Sequence, residues 1–351
     1  MGERNWLADI SRLDTEDMYG KILQFPSMVE RALQISSQAD PVVKNPNGVI
    51  FCGMGGSGIA PDLVKSWLAG EASVPMEVIK DYKLPGYASP NTLVCVVSYS
   101  GNTEESVSCV RDAIERKTAL TTVSSGGEIE SISSASGVPH IKVPPDLPPR
   151  SALPYLFIPL VKLLEVNGVI SSQRISELER SVAPVRRAMD NAKVQVPIDS
   201  NRAKSLAEKL YGAFPIIYGH GVLGGVALRF RQQLNENAKM HASNNVFPEL
   251  DHNELEAKWS AIGGKETIVL LRSRFESPAM KSKIDVTRDI FGSNGQALLE
   301  VRAEADTLIS EALSLIARLD MASFYLALLN GVDPSSTDRI NRLKEKLGSK
   351  I

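Results

Sequence analysis

The chain has 351 residues, 43% of them hydrophobic and 23% charged, and a net charge of -2, which is enough length for two domains with cores of their own. No basic face stands out to attract nucleic acid, and no apolar run approaches membrane-spanning length, so neither partner is expected. Cys52, Cys95 and Cys109 lie in or near apolar runs and read as reduced core residues, and the first residues, with Arg4, Asp9 and Arg12, lack the apolar core of a signal peptide; a cytoplasmic protein is expected.

Residues 1–38 read as mostly helical, with Leu7, Ile10 and Leu13 and later Met28, Leu33 and Ile35 at apolar positions and a break around Pro26. Asp40 to Asn47 form a loop, and Val49 to Cys52 a buried strand. A loop from Gly53 to Gly58 follows, then a helix from Ile59 through Trp67. Its glycines let backbone approach a ligand, and Ser57 can offer a hydroxyl. The spacing of Gly53, Gly55 and Gly58 fits a dinucleotide fingerprint, but no acidic ribose ligand is clear near Ile79 to Tyr82, and no cofactor is expected.

Pro75 to Ile79 is the next short strand. Leu93 to Val97, five apolar residues in a row, predicts a strand buried on both faces. It runs into Ser98, Tyr99, Ser100, Gly101, Asn102 and Thr103, where Thr103 is a good N-cap with Glu104 and Glu105 in the first turn, and Val107, Val110 and Ile114 recur at helical spacing. Free N–H groups and hydroxyls at a helix N-terminus suit a phosphate, although hydroxyl residues can also do no more than shape a turn. Ala119 to Val123 and the segment around Ile141 and Val143 complete a set of strands alternating with helices, which predicts a parallel sheet covered on both faces.

Leu153 to Leu164 reads as a buried helix, Ile175 to Met189 as an amphipathic one, and Val194 to Asn201 as a connector. The second half then repeats the first in outline. Pro215 to Gly221 echoes Val49 to Gly55, Glu266 to Ser273 echoes Asn91 to Ser98, and Ala297 to Val301 echoes Ala119 to Val123. Two copies of one α/β domain follow, with residues 1–152 as the first and 153–351 holding a helical connector, the second copy and C-terminal helices. Donor hydroxyls are thinner in the second copy, at Gly221 to Gly225 and Ser273 to Ser277. The phosphate is therefore expected on the first, with catalytic side chains and scaffold from the second.

Three residues are candidates for chemistry. Glu236 ends a helix whose apolar stripe is Leu223, Val226, Phe230 and Leu234; it falls off that stripe, and periodicity predicts solvent exposure. His252 has acidic neighbours in Glu249 to Glu254 that would raise its pKa if they are close to it in the fold, and exposure in a loop is the simpler alternative. Arg150 follows Pro148 and Pro149 on a rigid corner, where a guanidinium can be aimed at an anion or pair on the surface. His140, His220, His241 and His252 show no metal-ligand spacing, so no metal is expected.

Together the Gly53 to Gly58 loop, the Ser98 to Ser106 loop, the Pro148 to Ser151 corner, Asn235 to Asn237 and Glu249 to Glu254 resemble the archaeal-type bifunctional phosphoglucose/phosphomannose isomerases over essentially the whole chain. That family, in the phosphoglucose isomerase superfamily, is built from two sugar isomerase (SIS) domains, each a mainly parallel sheet flanked by helices. The resemblance implies an isomerase joining glucose 6-phosphate or mannose 6-phosphate to fructose 6-phosphate through a cis-enediol, without metal or cofactor. It implies that Gly56, Ser57, Ser98, Ser100 and Thr103 bind the sugar phosphate, that Glu236 moves the proton, that His252 assists ring opening and that Arg150 faces the enediolate. It further implies roles for Thr337 in binding and Lys344 in catalysis, and a homodimer in which His252 reaches the neighbouring subunit's site. A sugar-phosphate sensor is the main rival and would carry a DNA-binding segment; an amidotransferase-type synthase would need a nucleophilic cysteine, and residues 1–40 have none.

Overall fold

The computed structural model describes residues 4–257 and 265–348. In chain order the first half runs α1 (Trp6–Leu13), α2 (Met18–Leu23), α3 (Phe25–Ser36), β1 (Gly48–Cys52), α4 (Gly55–Leu68), β2 (Met76–Ile79), β3 (Thr92–Val97), α5 (Glu104–Glu115), β4 (Ala119–Ser124), α6 (Gly127–Ser136) and β5 (His140–Lys142). Next come α7 (Leu153–Val166), α8 (Gln173–Asp190), α9 (Arg202–Leu210), β6 (Phe214–His220), α10 (Val222–Glu236), β7 (Ser243–Phe247), β8 (Glu266–Arg272), α11 (Pro278–Ser293), β9 (Ala297–Arg302), α12 (Leu308–Leu329) and α13 (Asp338–Gly348).

Two all-parallel sheets result, ordered β2-β1-β3-β4-β5 and β7-β6-β8-β9. The central strands β3 and β8 are buried along their whole length, which is why their apolar runs are continuous. The internal repeat takes physical form here: β6, β8 and β9 hold the places in the second sheet that β1, β3 and β4 hold in the first. One apolar core runs through both halves, and smaller clusters cover the outer face of each sheet. The halves meet where α10 packs on α4, and Gly225 permits the approach, since a Cβ there would lie 2.8 Å from Leu63 Cδ2.

Three expectations need correction, and one strand is not anticipated by the sequence. The glycine stretch is not a loop up to Gly58: the helix already starts at Gly55, whose φ of +52° needs glycine, so only Gly53 and Met54 link strand to helix. The N-terminal break falls before Phe25, and Pro26 sits inside the first turn of α3, where its missing N–H costs nothing. Strand β7, too polar to stand out in sequence, is an edge strand with mostly half-exposed side chains. Finally, α12 is long and apolar enough to cross a membrane, contrary to the reading of the sequence; 89% of that stretch is buried, against α8, α9 and α10, so it is the core helix.

Candidate active site

The chain passes from β1 to β2 on one side and then crosses back to β3 on the other side of β1, and the crevice of such a sheet opens at the strands' carboxyl ends at that reversal. The N-termini of α4 and α5 both face it, and neither carries a side-chain cap. Thr103 is the N-cap of α5 as its sequence predicts, but its Oγ1 receives a hydrogen bond from Ser98 Oγ at 3.0 Å instead of capping the helix. Ser57 Oγ accepts from the Tyr99 N–H at 3.0 Å and so ties the two loops together. Tyr99 anchors the hydroxyl loop from below, its hydroxyl donating to Pro144 O at 2.8 Å. Gly101 has φ +69° and presses on Gly126, where a Cβ would come within 1.8 Å of the carbonyl oxygen. Ser57 and Ser98 are buried, Thr103 is half-buried and Ser100 is exposed, so the last two are the hydroxyls at the surface of this crevice.

The Pro148 to Ser151 corner closes on α4 because residue 56 is glycine: a Cβ there would sit 2.9 Å from both Pro149 C and Arg150 N. Arg150 is thus held beside the α4 N-terminus. It is 4% exposed. Its Nε donates to Asn237 Oδ1 at 2.8 Å, and Nη2 to Pro334 O at 2.9 Å and Ser335 O at 3.0 Å. Nη1 is the arm without a hydrogen bond among the described residues, and it stands 3.7 Å from Glu236 Oε2. Burial works against the Arg150 charge and lowers its pKa, with Glu236 acting in its favour.

Glu236 is therefore not the exposed residue that periodicity predicts. Its side chain is 27% exposed and faces a guanidinium contributed from far away in the chain. The support behind it is polar and buried. Arg229 Nη2 donates to Arg150 O at 2.9 Å and pairs with Asp320 at 2.5 Å, while Asn237 Nδ2 donates to Ser323 Oγ at 2.9 Å and Ser323 Oγ to Asp320 O at 2.6 Å. Such a fully paired network fixes the geometry of the groups it holds. Lys239 also belongs here: its Nζ donates to Glu236 O and, at 2.6 Å, to Ser336 O. Withdrawal of that ammonium from water, with the Arg150 charge behind it, lowers its pKa even though much of the side chain is exposed.

Sequence reasoning did not assign roles to Arg229, Lys239, Asp320 or Ser323. The available signal was a charged residue on the inner face of an apolar helix, as with Asp320 in α12. Thr337 follows directly on the carbonyls of Pro334, Ser335 and Ser336 that Arg150 and Lys239 grip, and is half-buried. Lys344, two turns along α13, is exposed and makes no ion pair among the described residues. His252 is exposed in a short turn after β7 and has no partner among the described residues. Because α10 runs antiparallel to the strands, its end at Glu236 lies at the amino end of the second sheet, whereas the turn after β7 lies at the carboxyl end. One chain's His252 and Glu236 are thus at opposite ends of the same sheet. Among the described residues no three His, Cys, Asp or Glu side chains cluster as metal ligands.

A buried cation with one free arm, a carboxylate facing it and two open helix N-termini beside them can hold an anion and move a proton. Residues 199–347 match the family model described as bacterial phospho-glucose isomerase C-terminal SIS domain. The bifunctional phosphoglucose/phosphomannose isomerase of Caldicellulosiruptor bescii is 32% identical over 335 residues, covering 94% of this chain and 98% of that one. The protein of the same name from Aquifex aeolicus is 31% identical, covering 86% of this chain and 90% of its own length. Among solved structures, the C-terminal domain of glucosamine-fructose-6-phosphate aminotransferase from Francisella tularensis superposes with a TM-score of 0.69 at 16% identity, covering 90% of this chain and 97% of that one, a likeness of fold.

Proposed function

The chain belongs to the bifunctional phosphoglucose/phosphomannose isomerase family, whose members are sugar-phosphate isomerases, and from that premise we propose that it interconverts glucose 6-phosphate or mannose 6-phosphate with fructose 6-phosphate in the cytoplasm. The observation that carries this reading is Glu236 Oε2 at 3.7 Å from the free arm of buried Arg150. The two aldoses and the ketose share one cis-enediol, so a single carboxylate can take a proton from C2 and return it at C1. Glu236 is that base. Arg150 Nη1 faces the oxyanion that develops, where a positive charge withdrawn from water stabilises it most.

The phosphate sits at the N-termini of α4 and α5, with Ser100 and Thr103 as donors and Ser57 and Ser98 shaping the loops beneath them. Gripping the dianion away from C1 and C2 supplies orientation that is used at the transition state. A proton that returns to either face of C2 makes one site serve both aldoses. No metal enters these steps. Thr337, beside the carbonyls that Arg150 holds, lines the sugar, and Lys344 reaches the site from α13.

His252 assists ring opening from a neighbouring subunit of a homodimer, a reading supported by its place at the far end of the sheet from its own Glu236. Two measurements test the proposal. Turnover of fructose 6-phosphate is followed in separate coupled assays for each aldose; formation of both is expected, and formation of neither would leave a sugar-phosphate-binding protein. Mixing inactive Glu236→Gln with inactive His252→Ala protein under subunit exchange should restore part of the activity. No recovery after proven exchange would mean that each chain completes its own site.

A further inference from the structure

A second place in the molecule gathers guanidinium groups. A cavity of about 600 Å³ lies at the carboxyl ends of β8 and β9, bounded by α8, the start of α9 and α12, and its wall includes Arg187, Arg202, Arg274 and Arg318. No residue of its wall belongs to the crevice around Arg150 and Glu236. Among the described residues Arg187 and Arg202 form no ion pair, and Arg318 donates only to the carbonyl of Arg302, at 2.6 Å. Arg274 alone is paired, loosely, at 3.5 Å from Asp306 and 3.7 Å from Glu311. The acids of the wall do not balance this charge: against four guanidinium groups stand Asp306, which pairs with Arg274, and Glu304, the counter-charge to Arg318.

Two further observations point to a missing anion. Ser314 of α12 lines the cavity, is 2% exposed, and its Oγ has no hydrogen-bond partner, a leftover donor in the wall of a basic chamber. Burial and, after it, the neighbouring Arg202 charge push the Arg318 pKa down to about 10, with Glu304 opposing them. An adjoining groove of about 640 Å³ shares Arg202, Glu304 and Arg318 and continues along the edge strand β9 past Leu206, Leu298 and Leu299. The basic chamber therefore opens onto a groove that is itself charged, with Lys209, Glu300 and Arg302 beside those leucines.

We infer that this cavity binds a phosphorylated small molecule, with its phosphate among Arg187, Arg202 and Arg318, the Ser314 hydroxyl as a further donor, and its remaining part along β9. Planar guanidinium groups bind phosphate in paired hydrogen bonds, and an open cleft of metabolite size suits a monoester. A sugar phosphate and a nucleotide share that chemistry, and the length of the groove along β9 separates them: a nucleoside can extend past Leu206, Leu298 and Leu299, a sugar alone cannot.

Calorimetry with ribose 5-phosphate and with adenosine monophosphate tests the inference on three proteins: the wild type, Arg202→Gln/Arg318→Gln, and Ser100→Ala/Thr103→Ala. One ligand per chain, besides any held in the crevice of the first sheet, should bind the wild type and the Ser100→Ala/Thr103→Ala protein, and this ligand should bind at least tenfold more weakly to Arg202→Gln/Arg318→Gln. That last protein should keep its melting temperature and its turnover of fructose 6-phosphate. Tighter binding of the nucleotide assigns the groove along β9 to a base, and equal binding assigns the site to the phosphate alone. Should the double variant fail to fold, Arg202→Gln, an exposed position, carries the test with a loss of at least threefold. The inference is overturned if neither compound binds the wild type at millimolar concentration, if the arginine substitutions remove no binding site from the wild type, or if all binding vanishes in Ser100→Ala/Thr103→Ala, which would place the ligand in the crevice of the first sheet.

Discussion

The two halves carry the same crossover and use it differently. In the first, β3 leaves the sheet through Ser98 to Thr103, and the exposed hydroxyl of Ser100 and the half-buried one of Thr103 stand at an open helix N-terminus. In the second, β8 leaves through Ser273 to Ser277, and Glu276 fills the corresponding position with a carboxylate of its own. Glu276 accepts from the Ser273 N–H at 2.9 Å and pairs at 2.7 Å with Arg272, a fully buried guanidinium that also meets Asp285 at 2.8 Å and Glu300 at 3.3 Å. Those contacts together raise the Arg272 pKa, against the opposing effect of burial. A strand-to-helix turn that already holds an anion has no vacancy for a phosphate. What the second half gives the crevice comes instead from the other end of its sheet, where α10 ends at Glu236. The same strand-to-helix turn thus leaves a helix N-terminus open in one half and is filled by the chain's own carboxylate in the other.

The division of labour makes Glu236→Gln the most damaging change. Turnover should fall on the order of a thousandfold, the scale of a lost general base, while the Michaelis constant stays within a few-fold. Steady-state kinetics on fructose 6-phosphate decide it, and activity within about tenfold of wild type would move the base elsewhere. Glu276→Gln comes next and should act on stability. Removing one partner of a buried pair costs about 3 to 5 kcal/mol, and because Asp285 and Glu300 remain on Arg272 the lower end of that range is expected. Urea unfolding measures it; a loss under about 1 kcal/mol would mean that Glu276 is not the internal anion proposed for this turn. Ser100→Ala and Thr103→Ala should each raise the Michaelis constant with the fold intact, since a hydroxyl given up from a charged acceptor is worth roughly 1.5 to 3 kcal/mol. Unchanged constants in both would reduce the first turn to a purely structural one as well.

How far the sequence could be read follows from where each signal resides. Runs such as Leu93 to Val97 announce a strand because burial on both faces forces every side chain to be apolar. Edge strand β7 escapes notice for the opposite reason: its side chains meet water, and Ser243, Asn244 and Asn245 read as loop. The motif around Glu236 was legible, but its surroundings were not. Arg150 and Asn237 are 87 positions apart, and helical periodicity describes one helix against an average interior, not against a guanidinium delivered by another half of the molecule. The buried pair Arg229 and Asp320 was hidden similarly, because a charge on an apolar face is a conflict within its own helix and is resolved only across helices. In the glycine stretch the composition correctly located the turn, while the helix start at Gly55 depended on a backbone conformation that composition does not encode.

The smallest expected effect separates the halves by pH. Beside the first sheet's β4 the polar groups are neutral, where the second sheet has Arg272 and its carboxylates. Ser124 Oγ donates to Gly126 O at 2.7 Å, so it faces His140 as an acceptor, 3.3 Å from Nε2. That assigns the proton of the imidazole to Nε2 and leaves Nδ1 to accept from Thr122 Oγ1 at 2.8 Å, with Ser133 Oγ donating to Thr122 in turn at 2.8 Å. A second proton on Nδ1 would oppose the Thr122 hydroxyl and reverse the chain. Burial lowers the His140 pKa, and Glu130 only partly offsets this. The folded chain therefore binds this proton less readily than the unfolded one. Stability is retained above the ordinary histidine range and lost as pH falls through about 6.5 toward the lowered value. One proton sets a ceiling of about 1.4 kcal/mol per pH unit, and partial exposure of the ring keeps the effect below it. Thermal melts at pH 7.5 and 5.5 should show a smaller fall for His140→Gln than for the wild type, because the substituted amide keeps both hydrogen-bonding roles and has no charge to gain. Equal falls would mean that acid acts on the two halves alike, through their carboxylates, and that the neutral network around β4 has no part in it.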